Sequence, residues 1–190
     1  PRTNHIQPLH ILIAPSWAKD GTIESGLGEK IVNQLMEDGF KVTLRPHPQT
    51  IKFSKQKVDA IINKYLHHDR FSYEDNVAGQ ESLHISDIMI SDWSGAALEY
   101  AFGLGKPVVF VDVPKKINNQ EYTELNITPF EISIRESIGQ VLKIDNIKDI
   151  SMVLKRAEFN NVEFSIFNLK RSHTIGSGYL KALIKNMTNK

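Results

Sequence analysis

The 190-residue sequence contains no cysteine. This absence excludes disulfide bonds and thiolate metal sites, and it fits a reducing compartment. An excess of one charge sign is missing as well, because 23 basic residues nearly balance 22 acidic ones and leave a formal net charge of +1. Bulk charge therefore gives no argument for nucleic-acid binding, and no nucleic-acid partner is predicted.

Long apolar runs are also absent. No stretch approaches the roughly 20 apolar residues that a membrane-spanning helix needs. No signal peptide is visible, because no apolar run follows a basic start. The first residue is Pro1 and not methionine, so we expect the chain to be a piece of a longer protein. Its length and its 41% hydrophobic composition otherwise fit one globular domain over residues 1–190.

Short apolar runs alternate with segments of helical periodicity. We predict strands at 9–14, 41–45, 88–90 and 107–111, and helices at 29–38, 55–65, 79–85 and 96–104. Nearly continuous apolar strands separated by helices indicate an α/β fold, a Rossmann-like parallel sheet with helices on both faces. The remaining segments are predicted as a short strand and loop at 71–77, a loop at 115–126, and helices at 134–142, 147–159 and 177–187.

Three polar corners follow predicted strands. They are Pro15-Ser16-Trp17, Arg45-Pro46-His47-Pro48 and the run from Ser91 to Gly95. Ligands of open parallel sheets bind outside the carboxyl ends of the strands. We therefore expect the three corners to share one edge and one site.

The Ser94-Gly95 corner has the chemistry of an anion site. Ser94 is suited to be the N-cap of the following helix, and Gly95 lets a phosphate approach backbone N–H groups closely. Glu99 lies just over one turn further and can accept hydrogen bonds from ribose hydroxyls. The alternative is that Ser94 is only a cap and Gly95 only a tight turn, with Asp92 a second cap or a carboxylate facing water.

The Arg-Pro-His-Pro corner restricts its own backbone. Prolines on both sides of His47 aim the imidazole, which can donate a proton to a leaving phosphate or stabilise it. Arg45 can pair with a phosphate through its planar guanidinium. The alternative is a histidine that only caps a sheet edge. The pair His67 and His68 is interpreted as a solvated helix end, so no metal site is predicted.

The corners together carry a resemblance to a known family. The runs "ILIAPSW" at 11–17, "LRPHP" at 44–48 and "SDIMISDWSGAALEYAFGLGKPVVFVD" at 86–112 resemble the C-terminal, nucleotide-binding half of the CDP-glycerol glycerophosphotransferases, the teichoic-acid polymerases and primases. The resemblance covers about residues 9–114. It implies the C-terminal half of a GT-B fold and transfer of glycerol phosphate, or another polyol phosphate, from a CDP-linked donor. The acceptor is expected to be a polyol-phosphate or glycan chain of a cell-surface polymer such as teichoic acid or capsule.

The resemblance also implies roles for single residues. His47 is expected to assist departure of CMP, which makes it the catalytic residue of this half. The donor-binding residues are expected to be Ser16, Arg45, Ser91, Asp92, Ser94, Gly95 and Glu99. The chain departs from the family pattern where Trp93 replaces a tyrosine, Gly95 replaces a second serine, and Ala18 stands where the family has an arginine. No cofactor is implied beyond the nucleotide donor as substrate.

Other functions stay open. A Ser-Gly pair followed by Glu resembles nucleotide-sugar glycosyltransferases and UDP-sugar 2-epimerases, so the donor can be a UDP or CMP sugar. A non-catalytic interaction domain is the alternative of another class. The Trp-His-Gly motif expected of the N-terminal acceptor domain is not found, so we expect the chain alone to be inactive. We expect the full-length protein to be cytoplasmic and peripheral at the inner face of the membrane, while Lys181, Lys185 and Lys190 form either a membrane contact or a solvated helix face.

Overall fold

The computed structural model describes residues 8–76, 78–117, 119–159, 168 and 171–188. The chain divides into two compact units, residues 1–160 and residues 161–190. The first unit contains the sheet and its flanking helices. The described part of the second unit contains one helix.

Within the described residues, six parallel strands form one sheet. They are β1 (His10–Ile13), β2 (Lys41–Leu44), β3 (Phe71–Tyr73), β4 (Ile88–Ser91), β5 (Val108–Val111) and β6 (Gly139–Leu142). The strand order is β3-β2-β1-β4-β5-β6. This is the doubly wound order in which the chain reverses direction across the sheet between β1 and β4, and a crevice opens there at the carboxyl edge.

Helices connect the strands. They are α1 (Leu27–Glu37), α2 (Pro48–Phe53), α3 (Lys55–Tyr65), α4 (Glu81–Ile85), α5 (Gly95–Leu104), α6 (Phe130–Ile138) and α7 (Ile150–Lys155) in the first unit, and α8 (Ser172–Thr188) in the second. Two 3₁₀ segments, Gln120–Leu125 and Ile144–Asp149, precede α6 and α7. The 115–126 segment therefore contains a helical turn and is not only a loop.

The core confirms the hydrophobic pattern of the sequence. All four residues of β1 are buried, as expected for a strand covered on both faces. Ile31, Val32, Leu35 and Met36 form the buried face of α1, as their spacing predicts. Gly39 then reverses the chain with a φ of +88°, a conformation that favours glycine.

Two predictions for the second half of the first unit are wrong. The segment 134–142 is not one helix, because α6 ends at Ile138 and Gly139 begins β6. A Cβ at Gly139 would lie 2.1 Å from the carbonyl oxygen of Val108 on β5, so only glycine allows the two strands to pair there. The helix predicted at 147–159 is shorter, because α7 covers only Ile150–Lys155.

Three further segments complete the comparison. Helix α2 was not predicted, although His47 and Pro48 are suited to its start. Strand β3 confirms the short strand expected within 71–77, whose last residue lies outside the described residues. Helix α8 contains the predicted 177–187, while Lys190 lies outside the described part. No helix in the described part of the chain is both long enough and apolar enough to cross a membrane.

Candidate functional site

Loops from four strands meet in a groove of about 310 Å³ at the carboxyl edge of the sheet. Pro15 follows β1, His47 follows β2, Gly79 follows β3, and Ser94 and Glu99 belong to the β4–α5 connection. The groove lies at the reversal of strand order between β1 and β4. The three predicted corners therefore share one edge, as expected, and the loop after β3 adds a fourth wall that the sequence did not suggest.

The start of α5 forms one wall of this groove. Ser94 is the N-cap, and its Oγ accepts a hydrogen bond from the Ala96 N–H at 3.3 Å. Gly95 is exposed, and a Cβ built there meets no atom within 4 Å. Among the described residues, no acceptor takes the Gly95 N–H. The helix start thus presents an N–H group and its partial positive charge to the open side of the corner.

Asp92 is the centre of the corner's hydrogen bonding. It is 1% exposed. Its Oδ1 accepts from the N–H groups of Ser16 and Trp93, each at 2.7 Å, and its Oδ2 accepts from the Thr22 hydroxyl at 2.8 Å and the Thr22 N–H at 3.4 Å. This carboxylate ties the loop after β1 to the end of β4, across 70 to 76 positions of sequence.

Ser91 makes a second link between the same strands. Its side chain is fully buried, and its Oγ donates to the carbonyl oxygen of Ala14 at 2.8 Å. Ser91 and Asp92 therefore hold the corner together from inside. Ser16, which is half-buried, is held through its backbone. Contact of these three residues with a ligand stays a prediction.

His47 begins α2 with its backbone extended between two prolines (φ −61°, ψ 144°). Its Nδ1 accepts the Gln49 N–H at 3.1 Å, so the ring caps the helix. When Nδ1 is the acceptor, the neutral imidazole carries its proton on Nε2. The exposed ring therefore offers one N–H donor in addition to its capping bond.

Arg45 and Glu99 occupy different walls. Arg45 is buried, and its Nη2 donates to the carbonyl oxygen of Gly79 at 2.9 Å, which joins the end of β2 to the loop after β3. Glu99 is exposed and lies one turn after Gly95, on the side of α5 that lines the groove together with Ala96. It stays a prediction that Arg45 pairs with a phosphate and that Glu99 binds a ribose.

A second groove, of about 440 Å³, lies on the other side of Trp93. It is formed by the loop after β5 and the start of α6, including Lys115, Lys116 and Tyr122. This groove was not predicted, because residues 115–126 were interpreted only as an exposed loop. The signal that could have found it is position, since this loop follows a parallel strand at the same edge as the other corners.

Arg135 supports Trp93 in the lining of the second groove. Its guanidinium carbon lies 3.9 Å from the centre of the Trp93 ring, and its Nη1 forms a 3.2 Å salt bridge with Asp112. Burial lowers the pKa of Arg135, and neighbouring Asp112 acts in the opposite direction. The Trp93 Nε1–H donates to the carbonyl oxygen of Val113 at 2.9 Å, so the indole is fixed from both its face and its edge.

In the described ranges, no group of three histidine, aspartate or glutamate side chains is positioned to hold a metal ion. The chemistry that these side chains offer is recognition of an anion and of hydroxyl groups.

Comparison with known proteins gives a family and a fold. A family described as CDP-Glycerol:Poly(glycerophosphate) glycerophosphotransferase matches residues 4–170. A search of curated proteins found no match. A UDP-GlcNAc 2-epimerase of Methanocaldococcus jannaschii, solved with UDP-GlcNAc and UDP, is 15% identical over 80% of this chain, with a TM-score of 0.51. The chain spans only 39% of that epimerase.

A second solved structure is the C-terminal domain of a group 1 glycosyl transferase from Francisella tularensis. It is 13% identical over 78% of this chain and 74% of that chain, with a TM-score of 0.45. At these identities the epimerase shows a shared fold and no more. Together with the strand order, it confirms the predicted Rossmann-like α/β fold of GT-B type.

Proposed function

Since the chain belongs to the CDP-glycerol:poly(glycerophosphate) glycerophosphotransferase family, we propose that it is the donor-binding domain of a transferase. The enzyme would move glycerol phosphate, or another polyol phosphate, from a CDP-linked donor to a cell-surface polymer such as teichoic acid or capsule. In the full-length protein we expect an N-terminal acceptor domain and a peripheral position at the cytoplasmic face of the membrane.

One observation carries this proposal: the open start of α5 and Glu99 line the same groove. The donor diphosphate would lie against the Gly95 N–H, where the helix start favours negative charge. Glu99, one turn along the helix, would accept hydrogen bonds from the ribose hydroxyls. The base would then lie toward Ala78–Gln80, the loop that closes the groove beyond α5.

The size of the groove agrees with such a ligand. Its volume of about 310 Å³ is at the lower end of the range for small-molecule sites, roughly 300–1,000 Å³. A nucleoside diphosphate fills a groove of this size. A polymer would need additional surface.

His47 would act on the leaving group. Transfer breaks the bond between the phosphorus of the glycerol phosphate and the oxygen that bridges it to CMP, and that oxygen leaves with negative charge. The Nε2–H of a ring capped through Nδ1 can donate to a phosphate oxygen and stabilise this charge. The proton of the attacking acceptor hydroxyl would go to a base of the N-terminal acceptor domain.

A nucleotide-sugar donor is the second candidate. The observation that favours it is Gly95, which stands where the family pattern has a second serine and which gives the Ser-Gly…Glu run. The same groove would then hold a UDP or CMP sugar, with its diphosphate or phosphate again at α5.

Calorimetric titration of the chain with CDP, CMP, UDP and CDP-glycerol tests the proposal. Selective cytidine binding that weakens in the Ser94→Ala variant is expected. Glu99→Ala should weaken CDP binding more than pyrophosphate binding, because only CDP has a ribose. Preference for UDP would favour the second candidate. Absence of binding by a folded chain would contradict both and favour a non-catalytic interaction domain.

A further inference from the structure

The linings of the second groove and of the proposed donor site include neighbouring residues of the β4–α5 corner. Trp93 lines the second groove, and the next residue, Ser94, lines the first. The two grooves therefore flank the same strand-to-helix corner. A molecule in the second groove would lie directly beside the group that the start of α5 holds.

The second groove is rich in hydrogen-bond donors and has a small positive charge. Lys115 and Lys116 are exposed on its rim, and Glu131 is the acidic residue in its lining. The Lys116 Nζ lies 5.1 Å from the centre of the Trp17 ring, so this ammonium is positioned over an aromatic face. Asn119 and Tyr122 add neutral donors. These groups suit phosphate oxygens.

The lining of the groove also contains apolar surface. Ile117 is 51% exposed, and Pro129, Ile132 and the Trp93 ring complete the apolar part of the lining. A small inorganic anion would use only the polar part of this lining. A chain in which phosphates alternate with short carbon segments can place its phosphates on the donors and its carbon segments on the apolar wall.

From this lining we propose that the second groove binds a phosphodiester-linked polyol chain, with its end beside the Ser94–Gly95 corner. The proposal rests on the proposed function, because it identifies the polymeric acceptor as the ligand. It gives the two grooves separate tasks: the smaller one holds the donor nucleotide, and the larger one, about 440 Å³, holds the acceptor.

Binding of a fluorescently labelled, short synthetic glycerol phosphate oligomer tests this assignment, read as anisotropy. The groove variant carries Lys115→Ala and Lys116→Ala. The matched control carries Lys143→Ala and Lys148→Ala, which removes the same charge from exposed positions outside the groove. We expect the groove variant to bind the oligomer about tenfold more weakly, and no more than that, because each exposed lysine–phosphate pair is individually weak. Binding by the control should be nearly unchanged, because its lysines lie outside the groove. An uncharged oligoglycerol should not bind.

Titration of CDP into the wild-type chain, the groove variant and the control variant separates this proposal from the proposed function. The assignment is supported when the groove variant loses oligomer affinity but keeps CDP affinity, and when the wild-type chain still binds the oligomer in saturating CDP. Equal oligomer binding by both variants would overturn it, as would complete displacement of the oligomer by CDP. Loss of CDP binding alone in the groove variant would also overturn it, because the groove would then belong to the nucleotide.

If the proposed function is wrong, the same titrations give a different pattern of binding. If wild-type chain binds no nucleotide but still binds the oligomer through Lys115 and Lys116, the groove is a polyanion site and the donor site is wrong. If it binds CDP but no oligomer, the donor site stands and the acceptor assignment is overturned.

Discussion

The glycine at the start of α5 gives the sharpest test of the donor site. Gly95 and Gly103 both lie in α5, both are exposed, and a Cβ at either meets no atom within 4 Å. The fold therefore needs neither glycine. A ligand against the helix start would need only Gly95.

The effect on stability should be small and favourable. Alanine in place of glycine inside a helix stabilises by roughly 0.5–1 kcal/mol. In a chain of this size that corresponds to a rise of about 1–4 °C in Tm for Gly103→Ala. Gly95→Ala, at the first helical position, should gain less but should not lose stability. Thermal unfolding by circular dichroism measures both.

The effect on binding should separate the two variants. A methyl group at Gly95 would stand between the phosphate and the N–H that the proposal assigns to it. Losing a hydrogen bond to a charged group costs about 1.5–3 kcal/mol, which weakens CDP binding by roughly 10- to 100-fold. Gly103→Ala should bind CDP like wild type. Equal CDP affinity of the two variants, both folded, would refute phosphate contact at the helix start.

Three further outcomes are expected. In the full-length enzyme, His47→Asn should keep the cap of α2, since asparagine caps well, but should lower kcat by at least about 100-fold; undiminished turnover would contradict the role of Nε2–H. Asp92→Asn should lower the free energy of unfolding by about 1–3 kcal/mol in urea, because one amide cannot accept all four bonds, whereas exposed Glu99→Gln should stay within about 0.5 kcal/mol. Burial lowers the pKa of His10, whose Nε2 forms a 2.7 Å hydrogen bond with the Thr43 hydroxyl. The stability that the neutral imidazole contributes is therefore present above the unfolded-state pKa of about 6.5, and it is lost as the pH falls below that value. His10→Gln should be less sensitive to acid between about pH 7 and 5, and equal losses in both chains would contradict this.

Local pattern was sufficient for β1, β2 and β4 and for α4 and α5 near the first groove, but not for α2, which begins beside it. Each of these three strands is a short, mainly apolar run that ends at a corner of polar residues, proline or glycine. Ile134, Ile138, Val141 and Leu142 show why the pattern failed further on. Their spacing fits a helix, and only the close approach of Gly139 to β5 decides for a strand. That approach is a tertiary contact, which no local pattern contains.

The candidate site divides in the same way. Ser94 could be assigned as an N-cap from its neighbours alone, and the structure agrees. The hydrogen bonds of Asp92 could not be predicted from its neighbours, because its partners Ser16 and Thr22 lie at least 70 positions away in the sequence. The capping of α2 by His47 was missed for a simpler reason, since α2 itself was not predicted.

The single direction of the sheet has a practical consequence. Both grooves lie at the carboxyl edge of the strands, so a group attached at the amino edge would be away from both of them. Glu37, at the end of α1, is exposed and leads to the amino end of β2. Because the sequence has no cysteine, Glu37→Cys would be the only thiol. A dye or a surface linked there would leave the ligand edge facing solution, in one orientation for every molecule.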